Sequence, residues 1–171
     1  MSIKCIAFDC FGTVFDMSNI SRDEIRAYVN HVRMDNFTPF EFPESWWNLK
    51  AHPDSKDGIK YLQQHRFFCV ALSNGDANLI DHVAEQNGFD FDYVIDLAGR
   101  HRVYKPHLDA YRTIEKDLGY KPSQTLMVTA NPTFGDIEGA AAIGMSSQVI
   151  RQPDTPQTII DLALMLTQRS H

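Results

Sequence analysis

The feature that most constrains this chain is a repeated alternation of two periodicities. Short apolar runs rich in β-branched and aromatic residues occupy positions 3–8, 67–72, 93–97, 125–129 and 147–150, while helical spacing of apolar residues occupies 54–65, 76–87, 107–118 and 135–143. Strands separated by helices run parallel, because a parallel pair needs a crossover of a dozen residues or more. Right-handed crossovers then wind the chain into a three-layer, Rossmann-like α/β fold with a doubly wound parallel sheet. A last amphipathic stretch over 155–168, with Ile159, Ile160, Leu162, Ala163 and Leu166 on one side, is expected to close the chain as a helix.

One interval is too long for this scheme. The helix at 54–65 serves the first crossover and leaves 15–51 over, so 1–14 and 52–171 form the expected α/β core and 15–51 a small cap. The cap opens on Ser21-Arg22-Asp23-Glu24, the pattern of a capping box in which Ser21 accepts from the backbone of Glu24 and the Glu24 side chain returns the bond. Ile25, Tyr28, Val29 and Val32 follow at helical spacing. Residues 37–49 hold Phe37, Phe40, Phe42, Trp46 and Trp47 with Pro39 and Pro43 among them, which describes an irregular packed flap more than a helix. Those aromatics suit a small core within the flap.

At 171 residues with 43% apolar content, the chain can bury a real core. The net charge of −6 gives no clustered basic footprint for nucleic acid, and no stretch reaches the about 18 apolar residues that a membrane span needs. Cys5, Cys10 and Cys69 lie in or beside apolar runs without paired or metal-ligand spacing, so they read as reduced thiols, and the N-terminus enters a strand with no signal pattern. The expected setting is the cytoplasm. The expected partners are a small anionic substrate and, at most, a second copy of the chain in a homodimer; nucleic acid and membrane are not expected.

Ligands of parallel sheets bind beyond the carboxyl ends of the strands. Here those ends are Asp9-Cys10-Phe11-Gly12-Thr13, Ser73-Asn74-Gly75-Asp76 and Thr129-Ala130-Asn131, with Asp136 shortly after and Lys105 in Tyr104-Lys105-Pro106 before a helix. Singly, an Asp after a strand is more often a helix cap, Ser-Asn-Gly a turn, and a lysine a solvated surface group. Together, in order, at separate strand ends, they make a nucleophilic site for an anionic substrate.

These residues resemble the four motifs of the haloacid dehalogenase superfamily: Asp9 to Thr13 the first, Ser73 the second, Lys105-Pro106 the third and Asn131 to Gly144 the fourth. The resemblance covers roughly 1–16 and 52–152, and its most specific parts are the first motif, the lysine-proline pair and the Gly-Asp-Ile-Glu-Gly-Ala run at 135–140. It implies a Rossmann-like sheet, a cap after the first strand and an aspartyl-enzyme mechanism. Phosphatase members carry a second Asp two residues after the nucleophile to protonate the leaving alkoxide, and here that position is Phe11. General acid catalysis is worth roughly 10²- to 10⁴-fold, whereas a halide needs no proton to leave. The 2-haloacid dehalogenase branch is the more similar one, in the aromatic at this position, in Leu72-Ser73-Asn74-Gly75, in Tyr111 six residues after Lys105, and in a Ser/Thr-x-Asn motif matched by Thr129 to Asn131. Two alignments of the fourth motif stay open. Counting back from Asp136 sets Asn131 in place of a metal-binding acid, while the Thr129-to-Asn131 match needs two extra residues before Asp136.

What the resemblance implies for each residue is then definite. Asp9 is the nucleophile, Thr13 its hydrogen-bond partner, Lys105 its charge partner and Asp136 the helper of the hydrolytic water. Substrate would meet Phe11, Ser73, Asn74, Tyr111, Asn131 and an arginine of the reduced cap. Of Arg22, Arg26 and Arg33, along one side of the cap helix, Arg33 is chosen because it lies nearest the helix end. No metal is required in this reading. The rivals are a Mg²⁺-dependent phosphatase with Asp9, Phe11 and Asp136 about the ion, and a family member that has lost catalysis and serves as a binding module.

Overall fold

The computed structural model describes residues 2–168. Along the chain lie β1 (Cys5–Phe8), a short β2 (Phe15–Asp16), α1 (Arg22–Arg33), the single turn α2 (Glu44–Trp47), β3 (Lys50–Ala51), α3 (Ser55–Gln64), β4 (Phe68–Ala71), α4 (Ala77–Gln86) and β5 (Tyr93–Val94). A π-helical turn at Leu97–His101 leads to α5 (Leu108–Leu118), and a 3₁₀ turn at Pro122–Gln124 leads to β6 (Thr125–Thr129), α6 (Asp136–Ala142), β7 (Ser146–Val149) and α7 (Ile159–Gln168).

The five-stranded sheet has the order β5-β4-β1-β6-β7, and each adjacent pair is parallel. All four residues of β1 are fully buried, the signature of a strand covered on both faces. Ile6 and Phe8 pack into the layer of α3, α4 and α7, whereas Cys5 and Ala7 pack into the layer of α5 and α6. The chain leaves β1 toward β4 and β5, then returns to lay β6 and β7 on the other side. The ends of β1, β4 and β6 therefore border the crevice where strand order reverses.

The structure differs from the periodicity where local side-chain chemistry intervenes. The fifth strand ends at Val94 rather than at position 97, because Asp96 accepts a bond from the Gly99 amide (2.9 Å) and turns the chain into the π-helix. The last helix starts at Ile159, not at 155: Thr155 and Gln157 bond the Gln152 carbonyl at 2.7 Å each, and the Thr158 hydroxyl caps the helix at the Asp161 amide (2.9 Å). In the inserted region only half of the predicted capping box forms. Ser21 Oγ accepts from the Glu24 amide (3.2 Å), but the Glu24 carboxylate accepts instead from Ser45 Oγ, tying α1 to α2. The hairpin of β2 and β3, which has no apolar periodicity to betray it, forms the neck at which the insertion leaves and rejoins the core. Among the described residues no helix is long and apolar enough to cross a membrane.

Helices α3 and α7 pack against each other, and Gly58 lets the start of α7 come close. A Cβ at Gly58 would lie 2.6 Å from Ile159 Cγ2. Gly58→Ala would gain about 0.5–1 kcal/mol of helix propensity, but overpacking a filled core costs about 1–3 kcal/mol. The expected net result is a lower urea midpoint at an unchanged m-value, read by circular dichroism.

Candidate active site

Asp9 stays in register with the sheet through its amide, which donates to the Val128 carbonyl (3.0 Å). The chain then turns sharply: the Cys10 carbonyl accepts from the amides of Thr13, Val14 and Phe15 at 3.2, 2.9 and 3.0 Å. Gly12 makes that turn at φ +86°, a conformation that L side chains rarely adopt. His52 reaches the Gly12 carbonyl (3.1 Å) and Arg151 Nε donates to the Thr13 carbonyl (3.0 Å), so the loop is held from behind. Arg151 in turn pairs with Asp54 through both terminal nitrogens at 2.9 and 3.0 Å.

The two oxygens of Asp9 have different surroundings. Oδ2 accepts from Thr13 Oγ1 (3.3 Å), Thr129 Oγ1 (3.3 Å) and Asn131 Nδ2 (3.0 Å). Among the described residues Oδ1 accepts from Lys105 Nζ alone (3.3 Å) and keeps lone pairs for a reacting atom. The same ammonium donates to Asp136 at 3.2 Å, and Tyr111 OH donates to Asp136 Oδ1 at 2.8 Å. Lys105 is nearly buried, at 7% exposure. Burial alone would push its pKa down, but Asp9 and Asp136 outweigh that and raise it, so the ammonium stays charged. Burial is also the largest influence on Asp136, raising its pKa against the lowering pull of Lys105 and Tyr111. Burial, reinforced by Asp136, pushes Tyr111 up and keeps it a neutral donor. Gly139 admits Tyr111 beneath α6, since a Cβ there would lie 2.2 Å from its ring.

Six of the predicted residues thus meet: Asp9, Thr13, Lys105, Tyr111, Asn131 and Asp136. Ser73 is buried at the adjacent strand end, its Oγ accepting from the Gly75 amide (3.2 Å). Asn74 stands one step back from substrate. Its amide donates to the Lys105 carbonyl (3.1 Å) and accepts from the Lys105 amide (2.8 Å), so both ends are spent on positioning the lysine. Phe11 turns away from the carboxylates into the inserted segment, where its ring lies 5.7 Å from Tyr28, 6.3 Å from Phe42 and 5.1 Å from Trp46. Gly75 leaves room for it, because a Cβ there would stand 2.5 Å from the Phe11 ring.

Arg33 is not brought to the site. It is exposed in the last turn of α1 and has no hydrogen bond or ion pair among the described residues; Arg22 is likewise exposed, and Arg26 pairs with Asp23. The apolar face of α1 turns Ile25 and Tyr28 toward the core, which carries the arginines outward. Sequence reasoning passed over Thr129 as a direct partner of Asp9, although the Thr-x-Asn pattern held the signal. It also had no signal for Arg151, which acts through a backbone carbonyl far along the chain.

The Asn131 side chain faces the nucleophile, in either fourth-motif alignment. Its Nδ2 donates at 3.0 Å both to Asp9 Oδ2 and to the Phe11 carbonyl. Both neighbours are acceptors, so the NH₂ group must face them, and Thr129 beside it bonds the same carboxylate oxygen.

Lys105→Met should leave the buried Asp136 and the half-buried Asp9 without their shared cation, at a cost of about 3–5 kcal/mol near neutral pH. The Asp136 pKa, already raised, would rise further. A carboxyl whose folded pKa exceeds its unfolded value binds more protons when folded, so it favours the fold at low pH and loses that contribution as pH rises through the folded value. The stability gap between wild type and Lys105→Met should therefore be widest at neutral pH and narrow on acidification, as chemical denaturation across pH will show.

A family model described as haloacid dehalogenase-like hydrolase matches residues 31–144. Haloacetate dehalogenase H-2 of Moraxella sp. (strain B) is 30% identical over 146 residues, covering 83% of this chain and 62% of that enzyme. This chain thus spans less than two thirds of that relative's length. The (S)-2-haloacid dehalogenase of Xanthobacter autotrophicus is 24% identical over 190 residues, 84% of this chain and 73% of the enzyme. Among solved structures, L-2-haloacid dehalogenase from Xanthobacter autotrophicus with chloropropionic acid covalently bound superposes with a TM-score of 0.70 at 23% identity, over 89% of this chain and 79% of that one. A HAD-superfamily hydrolase from Ehrlichia chaffeensis gives 0.73 at 14% identity, with all of both chains covered. Both structures share the fold.

Proposed function

The chain belongs to the haloacid dehalogenase-like hydrolases, and from that premise we propose that it hydrolyses the carbon–halogen bond of a small 2-haloacid through an ester on Asp9. The observation that carries this reading is the unequal partnering of the Asp9 oxygens. Oδ1, free but for Lys105, attacks the halogen-bearing carbon; the new C–O bond forms as the carbon–halogen pair leaves with the halide. No proton moves in this step. The family likeness and the dehalogenase relatives support the substrate class, and Phe11 supports it by offering no acid for an alkoxide.

In the second step water attacks Asp9 Cγ. Negative charge develops on Oδ2, where Thr13, Thr129 and Asn131 already donate three bonds: a preorganised oxyanion hole. Asp136, kept basic by burial, takes the water proton. As the Cγ–Oδ1 bond breaks, Lys105 lies 3.3 Å from the departing alkoxide oxygen and supplies its proton, and Asp136, 3.2 Å away, returns one to Lys105. The product carries the former Oδ1, while Asp9 keeps the oxygen of water and releases that water's second proton to solvent, which restores its carboxylate.

A metal-independent reaction is part of the proposal. In the Mg²⁺-dependent alternative, Asp9, the Phe11 carbonyl and Asp136 would face one cation. Here the Asn131 amide bridges the first two and the Lys105 ammonium bridges the carboxylates, a donor set that fits neutral and ammonium hydrogens and does not fit a divalent ion. The three free, buried cysteines agree with a cytoplasmic setting.

Purified protein assayed against 2-chloropropionate and a phosphoester panel, with EDTA or with Mg²⁺, tests the reading. Haloacid turnover that EDTA leaves intact is expected; phosphoester turnover restored only by Mg²⁺ would replace it with the phosphatase. Asp9→Asn should lose all turnover while keeping its circular dichroism spectrum. In a single turnover in H₂¹⁸O, the label should appear in the peptide containing Asp9 and not in the product, by mass spectrometry.

A further inference from the structure

We propose that the end of the sheet opposite Asp9 holds a second ligand site, which takes a small planar aromatic acid with its ring among Tyr61, Phe67 and Tyr120 and its carboxylate on Arg66 and Lys4. The proposal is independent of the chemistry assigned to Asp9.

The first observation is a helix end. Helix α3 closes in a Schellman motif, in which the Arg66 amide donates to the Gln63 carbonyl (3.1 Å) and the Phe67 amide to the Leu62 carbonyl (3.0 Å). Such a turn needs a left-handed residue. After α4, α5 and α6 that residue is a glycine: Gly88 at φ +85°, Gly119 at +79° and Gly144 at +81°. After α3 it is Arg66, at φ +69°. A side chain is strained in this conformation, and glycine would relieve it. Two other arginines share the conformation, but Arg151 bonds Asp54 and the Thr13 carbonyl, and Arg102 lies over the Phe37 ring. The Arg66 side chain has no hydrogen bond, ion pair or ring contact among the described residues. Strain kept for a guanidinium that the fold does not use points to a binding role.

The second observation is a cavity. Arg66 lines one of about 710 Å³, within the range of about 300–1,000 Å³ that small-molecule sites occupy. Lys4 and Phe67, which immediately precede β1 and β4, line it too, so it lies at the far end of β1 from Asp9. Its walls are aromatic and half-buried: Phe67, Tyr120, and Tyr61 with the His65 ring stacked on it at 4.0 Å. The chain has 22 acidic residues to 16 Lys and Arg, yet no Asp or Glu lines this cavity among the described residues. Aromatic faces select a planar ring, an unbalanced lysine and arginine select an anion, and the guanidinium fork matches a carboxylate.

The probe is 2-naphthoate, followed by isothermal titration and by the thermal midpoint. It should bind saturably to wild type and to Asp9→Asn alike and raise the midpoint of both. Two controls, 2-naphthamide without the charge and cyclohexanecarboxylate without the aromatic ring, should bind at least tenfold more weakly. Arg66→Gly should raise the midpoint of the unliganded protein and weaken 2-naphthoate about tenfold or more, the effect of losing a bond to a charged group. Arg66→Asn, which also tolerates the left-handed turn, should weaken the probe in the same way. Unchanged affinity in both variants, or a lower midpoint in both, would mean that Arg66 serves the fold and overturns the proposal. Binding abolished by Asp9→Asn would put the probe at the nucleophile and overturn it as well. Equal binding of either control, or no binding to wild type, has the same consequence.

Discussion

The interaction on which the rest depends is the Lys105 ammonium held between Asp9 and Asp136. It joins the end of β1, the loop before α5 and the first turn of α6, three points far apart in the chain. Two carboxylates this close to one crevice would repel each other and drive one to protonate; a shared cation lets both keep their roles. The surrounding structure serves to keep that cation in place. Asn74 clamps the lysine backbone at both its amide and its carbonyl, Tyr111 fixes the far side of Asp136, and Gly139 gives way to Tyr111. None of these groups need touch substrate, yet each sets the distance at which Lys105 meets Asp9.

The second constraint is the division of labour between the oxygens of one carboxylate. Three donors fix Oδ2, so the carboxylate cannot rotate freely and Oδ1 is presented in one direction. The same donors are idle as electrostatic stabilisers while Asp9 acts as nucleophile, then become useful when Cγ turns tetrahedral. One set of hydrogen bonds thus orients the first step and lowers the barrier of the second. Thr13 illustrates how the fold enforces this. Its hydroxyl accepts from the Ala130 amide (2.9 Å), its carbonyl accepts from Arg151, and its position follows from the left-handed turn at Gly12.

Much of this was legible in the sequence because its physics is local. An apolar run ending in Asp9-Cys10-Phe11-Gly12-Thr13 encodes a buried strand, a left-handed turn that favours glycine and a hydroxyl returning to the carboxylate. The order of strands and helices encodes the parallel sheet, and the sheet brings Ser73 and Thr129 to the ends adjacent to Asp9. What was not legible depends on side chains choosing among distant partners. Glu24 had a local partner in the capping box and bonded Ser45 instead; Asn74 seemed free for substrate and is spent on Lys105. Arg33 failed for a geometric reason, since the same helix that buries Tyr28 must turn its arginines away. Tyr28 and Trp46 read as apolar filling, and the periodicity of a sequence carries no mark of whether a buried polar atom finds a partner.

Phe11 joins the chemistry of the site to the packing of the insertion. The position that would carry a proton donor for an alkoxide instead carries a ring that packs edge-on against Tyr28 and Trp46, so one residue removes the chemistry of alcohol departure and anchors the inserted segment to the loop that follows Asp9.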